Sequence, residues 1–319
     1  MIKFFKKLLV LALIILIVGV VVFAAAFAIS GFSFEKMTGI KTSYVTFEEN
    51  GGSANKLVLN FDTWDIHVKF DGQSEKISVV YPERTTKSGH KLNTVSFTEA
   101  DGTVSVIEQR SLKSQLFLWD FKAEKVEVTI PKDRPIELFI EADTSDVIFD
   151  GDTTLTRLSV ETDTGDINTK KSGLTVLDTV NLEVDTGDIK LSKLEALTLI
   201  IETNTGDVEL GESGISSYTE ISTDTGDVDF NGSFVCELLK LETDTGDIGG
   251  EDATVDANVI SIETDTGDIE LRMAGNRGDY ETFVNSHTGK SNIASHPGGP
   301  RKLTVETDTG DIEIDFADE

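Results

Sequence analysis

Six copies of Asp-Thr-Gly, at Asp163, Asp185, Asp224, Asp244, Asp265 and Asp308, are each followed directly by a second aspartate. Two chemistries use such residues. Asp-Thr-Gly spells the turn of aspartic proteases, in which two aspartates share one proton at close range. Rows of carboxylates also supply the hard oxygen ligands that calcium takes. The candidate calcium ligands are Asp163, Asp166, Asp185, Asp188, Asp224, Asp227, Asp244, Asp247, Asp265 and Asp268. The chain lacks the glycine-rich nonapeptide of calcium-binding β-rolls, so such a site is expected to be weak and irregular, with no other cofactor. A protease needs two aspartates facing each other across a cleft, whereas a regular repeat sets them out along one line. The copies therefore read as structural corners, and an aspartic-type hydrolase stands as an alternative.

The corners belong to a wider repeat. Thr-Gly-Asp followed by Ile or Val recurs with glycines at 165, 187, 206, 226, 246, 267 and 310, and a degenerate copy at Gly289 makes every interval 19 to 22 residues. A fixed period of that size marks a solenoid. Five places before each glycine stand Val160, Leu182, Ile201, Ile221, Leu241, Ile262, Val284 and Val305. Two places after the seven regular glycines stand Ile167, Ile189, Val208, Val228, Ile248, Ile269 and Ile312. Apolar residues alternating with polar ones describe strands with one buried face. The threonine three places before glycine becomes Ala142 and Val184 in two copies, which turns that column inward as well. The expected fold is all-β, a right-handed parallel β-helix of about 20-residue coils, each with three short faces.

Copies upstream are fainter: residues 138–149, with Ser145 at the glycine position, and residues 57–68. Strand-like alternation over residues 76–81, 92–97 and 103–108 surrounds turn signals at Ser88-Gly89 and Asp101-Gly102. The organisation expected is an anchor over 1–32, a β-rich cap with irregular first coils over 33–131, and regular coils over 132–319. The last coil ends at Ile314, which leaves an open sheet edge discouraged from stacking by its acidic residues.

Charge limits the partners. There are 28 basic and 57 acidic residues, net −29, a field that repels nucleic acid. Lys3, Lys6 and Lys7 precede an apolar run over residues 8–29, long enough to span a bilayer and longer than the core of a secretory signal. Glu35 and a single Lys36 follow it. This bias predicts a single-pass membrane protein with a cytoplasmic N-terminus and an extracytoplasmic C-terminal domain; Ala26-Phe27-Ala28 offers a cleavage site as the alternative.

Three acidic columns run along the repeat, and stacked carboxylates about 4.8 Å apart repel by roughly 0.9 kcal/mol per pair in water. Backbone donors at the turn are expected to offset one column. The coil at Gly289 interrupts the rails, with His287 and Lys290 in place of acids and Ser291 in place of the aliphatic. Together with Arg277 and His296 it forms the candidate partner surface. Thr-x-Thr pairs such as Thr162 and Thr164 suggest ice binding, against which the inward column argues. Cys236 reads as a small buried side chain. His67 and His90 have no metal-site spacing, and no nucleophile elbow, phosphate loop or zinc motif is present.

The N-terminal apolar segment, the strand over 126–130 ending in Pro131, and the repeated Glu-Thr-Asp-Thr-Gly-Asp-Ile units together resemble the bacterial "putative adhesin" domain family of unknown function, across roughly residues 40–319. The resemblance implies a cell-envelope protein that is not an enzyme, and some members are implied to accompany envelope-stress systems. The expected function is thus an adhesin-like binding or structural surface protein, with an accessory role in an envelope-stress response as the alternative. Expected partners are the membrane and a cell-wall component, cationic peptide or envelope protein.

Overall fold

The computed structural model describes residues 2–29, 31, 39–110, 124–132, 134–250 and 253–318. Glu35 and Lys36, read above as a membrane flank, lie outside the described residues. The chain forms two compact units: Met1–Val45 with Pro82–Thr94 and Gln109–Trp119, and Thr46–Tyr81 with Val95–Glu108 and Asp120–Glu319.

In the first unit, Ile2–Ile29 form one helix, α1. Among the described residues no helix is long and apolar enough to cross a membrane. The span expected over residues 8–29 is thus not shown by the structure. The turn expected at Ser88-Gly89 is present: Gly89, at φ 83°, donates to the Thr86 carbonyl at 2.9 Å.

The second unit is a β-solenoid of about eight turns of about 21 residues. One inward column shows how it is held. Leu138, Leu158, Val180, Leu199, Thr219, Leu239, Ile260 and Leu303 follow one another in parallel register, each directly opposite the next. All eight are buried. Full burial of one such aliphatic side chain contributes about 1.5–3 kcal/mol, which exceeds the ~0.9 kcal/mol repulsion between two stacked carboxylates. The core thus sets the stacking, and the outward acids tolerate it. The corner between the face that ends at Val176, Ala196 or Ile215 and the next is marked by register shifts, so coils of slightly different length close on the same columns.

Chain order and stacking order differ at both ends. The faint copy over residues 57–68 is a true coil: Leu57 pairs with Leu138 on one side and with Val104 on the other, and Ile66 pairs with both Val147 and Val126. The earliest coil therefore lies between two later ones. Ser78–Thr85 then runs antiparallel to Lys125–Pro131 through Val79 and Val128.

The C-terminal end corrects the expectation of an open last coil. The final long strand, Arg301–Thr309, is inserted between Thr254–Thr266 and Tyr280–Thr288, so that Val305 lies between Ile262 and Val284. The outermost coil is the degenerate one. Its edge is partly covered, because Thr282 and His296 exchange two backbone hydrogen bonds of 2.9 Å and Val284 N–H donates to the Ser295 hydroxyl at 2.9 Å. Covering an edge in this way blocks strand addition without relying on charge.

Candidate functional site

The Thr-Gly-Asp corner is built from backbone contacts between coils. Gly187 N–H donates to the Thr205 carbonyl, Gly206 to Thr225, Gly226 to Thr245 and Gly246 to Thr266, at 2.9–3.0 Å. Stacking is so close that a Cβ on Gly226 would stand 2.1 Å from the Gly206 carbonyl oxygen, and one on Gly246 2.0 Å from that of Gly226. Backbone approach, together with φ values of 151° and 159° at these two glycines, explains why the position stays glycine.

The aspartate after each glycine forms a continuous rail. Asp166 N–H donates to Asp146 Oδ1, Asp188 to Asp166, Asp207 to Asp188, Asp227 to Asp207, Asp247 to Asp227, Asp268 to Asp247 and Asp311 to Asp268, at 2.7–3.1 Å. Asp146 N–H starts it from Asp65 Oδ1 at 3.2 Å. Each carboxylate thus accepts a charge-assisted bond from the next coil's backbone, which is the offset expected for one column. Asp166, Asp188, Asp227, Asp247 and Asp268 hold Oδ1 in this way.

The other calcium candidates, Asp163, Asp185, Asp224, Asp244 and Asp265, are exposed two places before glycine. Asp185 accepts from Asn204 Nδ2 at 3.1 Å. Among the described residues, no three or more His, Cys, Asp or Glu side chains gather where one metal ion would sit.

The glutamate column, from Glu141 through Glu161, Glu183 and Glu202 to Ser222, Glu242, Glu263 and Glu306, is in register throughout. Burial pushes the Glu183 carboxyl up, reinforced by Glu161, Glu202 and Asp185. Relief comes at particular places: Ser222 breaks the column, Asn60 Nδ2 donates to Glu141 at 2.8 Å, and Lys240 bridges Glu220 at 3.0 Å and Glu242 at 2.9 Å. Those two carboxylates lift the Lys240 ammonium pKa above its ordinary value.

The Asp-Thr-Gly aspartates follow the same registers, one per coil on one line, and do not form the facing pair that shares a proton. The inward reading of the threonine column holds, with Thr162, Thr203, Thr223, Thr243, Thr264 and Thr307 all buried. Sequence reasoning missed a second role for it. Thr243, Thr264 and Thr307 hydroxyls donate to the glycine carbonyls of the neighbouring coil at 3.3 Å. The signal was the hydroxyl itself, retained where Val184 shows that an apolar side chain fits.

The four residues of the candidate partner surface occupy different places. His287 stacks on Asp308, Nδ1 to Oδ1 2.9 Å. Lys290 N–H joins the aspartate rail at Asp311 Oδ1, 2.7 Å. His296 lies in the segment over the edge strand. Arg277 lies in a short 3-10 turn and lines a groove of about 510 Å³ with Arg272, Glu270, Glu313 and Asp315.

Cys236 is buried as expected, and burial pushes its thiol up to about 12. His67 faces the Lys125 ammonium at 3.1 Å; burial, then Lys125 and Lys170, hold its imidazole below the ordinary value.

The family described as "Toastrack DUF4097" matches residues 54–315. No curated protein matches the chain. Among solved structures, one described as a "putative adhesin" from Parabacteroides distasonis ATCC 8503 has 12% identity and a TM-score of 0.44, covering 86% of this chain and 97% of that one. A "putative adhesin" from Bacteroides fragilis NCTC 9343 has 16% identity and a TM-score of 0.33, covering 85% and 97%. A "putative cell adhesion protein" from Clostridium sporogenes ATCC 15579 has 12% identity and a TM-score of 0.22, covering 86% and 100%.

Proposed function

The chain belongs to the Toastrack DUF4097 family, and from that premise we propose that it is a membrane-anchored, extracytoplasmic surface protein with an adhesin-like binding role at the bacterial cell envelope. It is not an enzyme on this reading. The observation that carries it is the outer aspartate column: Asp163, Asp224, Asp244 and Asp265 are exposed and, among the described residues, have no hydrogen-bond or ion-pair partner. Asp224, Asp244 and Asp265 stand on successive coils about 4.8 Å apart, with Asp163 three coils away, and together offer a cationic partner a line of unpaired carboxylates. For the anchor, support comes from the apolar residues 8–29 after Lys3, Lys6 and Lys7, and from exposed aliphatics such as Ile15, Leu16 and Val22 on α1.

Two measurements on the full chain in cells test this. An Asp244→Cys variant in a Cys236→Ser background is expected to react with a membrane-impermeant maleimide on intact cells; reaction only after lysis overturns the placement. Retention of the detergent-solubilised full chain on cell-wall material stripped of membrane is expected to fall with salt, and to fall again when Asp163, Asp224, Asp244 and Asp265 are changed to Asn. Retention indifferent to both overturns the rail as the contact surface. A melting temperature raised by calcium would identify the partner as a cation, and an unchanged one would leave a macromolecule.

A further inference from the structure

A groove of about 400 Å³ opens on a different part of the solenoid and is lined by Lys132, Lys171 and Lys193, which come from three separate passes of the chain. Three ammonium groups around one cavity are out of keeping with a chain of 57 acids. The contrast is local. Residues 194–271 carry Lys240 alone as a base, whereas residues 125–193 carry Lys125, Lys132, Arg134, Arg157, Lys170, Lys171, Lys190 and Lys193.

The lysines are not consumed by internal pairing. Among the described residues Lys132 and Lys171 have no ion-pair partner, and Lys193 approaches Glu212 only to 3.9 Å. Two acids, Asp152 and Glu195, line the same groove, which leaves the three lysines in excess. Asp152 Oδ1 accepts the Gly173 N–H at 2.8 Å. Glu195 leans over Gly214 on the next coil, where a Cβ would stand 2.6 Å from its Oε2. A second, independent observation comes from Thr153, which also lines the groove: it is 6% exposed and its hydroxyl has no hydrogen-bond partner. A buried unpaired hydroxyl costs about 1–3 kcal/mol unless something completes it.

We infer that this groove binds a phosphate group, with Lys132, Lys171 and Lys193 as the charge donors and the Thr153 hydroxyl as a neutral donor. Lysine ammonium groups serve phosphate as point charges, and an oxyanion supplies the acceptor that Thr153 lacks. The net charge of −29 does not forbid it, because acids beyond about 8 Å are largely screened at physiological salt. This goes beyond the acidic contact surface and does not depend on it.

The test is calorimetric titration of the full chain with three probes: inorganic phosphate, a linear polyphosphate, and vesicles of a phosphate-headgroup lipid against vesicles of a neutral one. Saturable binding of the first identifies a free ion, of the second alone a polymer, and of the third alone a lipid surface. Changing Lys132, Lys171 and Lys193 together to Ala is expected to weaken the binding probe by at least about tenfold, and Thr153→Val by several-fold. If the triple variant fails to fold, Lys171→Ala on its exposed side chain gives the same readout. No binding of any probe, or equal binding by wild type and the lysine variants, overturns the inference; equal binding by Thr153→Val removes the hydroxyl from the site.

Discussion

The Lys290 N–H donates to Asp311 Oδ1 at 2.7 Å, and in this rung the donor precedes the acceptor in the chain. In every other rung, from Asp146 on Asp65 to Asp311 on Asp268, the later residue donates to the earlier. The reversal follows from the insertion of Arg301–Thr309 between Thr254–Thr266 and Tyr280–Thr288. Lys290 carries no carboxylate, so the rail ends where the stack ends.

That insertion makes the last residues internal. Deleting residues 301–319 is expected to expose Ile262 and to unseat Tyr280–Thr288, whose parallel partner is lost. Hydrogen exchange should show the Tyr280–Thr288 amides losing protection relative to the intact chain. A simple terminal coil would leave them protected, and that result would refute the inserted order.

The coils themselves were legible because each column repeats one demand: aliphatics at Val160, Leu182 and Ile201 alternate with acids, and Ala142 and Val184 reveal which threonines point inward. Stacking order was not legible, since residues 280–291 and 301–316 carry the same frame and parallel pairing is satisfied in either order. A hint stood in the decayed coil. Ser291 in place of the aliphatic and Lys290 in place of the acid suit a coil with one neighbour rather than two. The lysine groove left no pattern at all, because Lys132, Lys171 and Lys193 share no interval and meet only through folding.

Removing a rung separates charge from hydrogen bonding. Asp227 accepts from Asp247 N–H at 2.8 Å while its own N–H is bound by Asp207. Asp227→Ala should cost about 1–3 kcal/mol by orphaning the Asp247 donor. Asp227→Asn keeps an acceptor and relieves repulsion, so urea unfolding should find it as stable as wild type or more so. Equal losses in both variants would mean that charge holds the rail.

The glycine requirement is steric. Gly226→Ala places a methyl 2.1 Å from the Gly206 carbonyl oxygen, and backbone cannot swing aside as a side chain can. A loss of at least about 2 kcal/mol is expected from thermal unfolding, whereas the same change at Gly278, with nothing within 4 Å, should be nearly silent.

Glu49 supplies a pH dependence. Burial opposes its charge, but the Ala54 N–H at 2.6 Å, Arg134 at 2.7 Å and the Ile77 N–H at 3.1 Å hold the carboxyl below its ordinary value of 4.5. A depressed carboxyl contributes stability that is present above the ordinary value and lost as pH falls through the folded one. Acid unfolding below 4.5 should therefore be shallower in Glu49→Gln than in wild type. At neutral pH, Arg134→Ala should cost about 3 kcal/mol by stranding a buried charge.

Thr203 is 1% exposed with an unpartnered hydroxyl, and the residue opposite it in the neighbouring coil is Val184. Valine has nearly the same shape, so Thr203→Val removes an unpaired polar group without opening a cavity, and a gain of about 1 kcal/mol is expected. At Thr243, whose hydroxyl reaches the Gly226 carbonyl at 3.3 Å, the same change should give no gain. Urea unfolding of both variants decides between two accounts of the column. If Thr203→Val loses stability as Thr243→Val does, the hydroxyls act as hydrogen-bond donors at every coil; if the two diverge, packing sets the column and the hydrogen bonds are local additions.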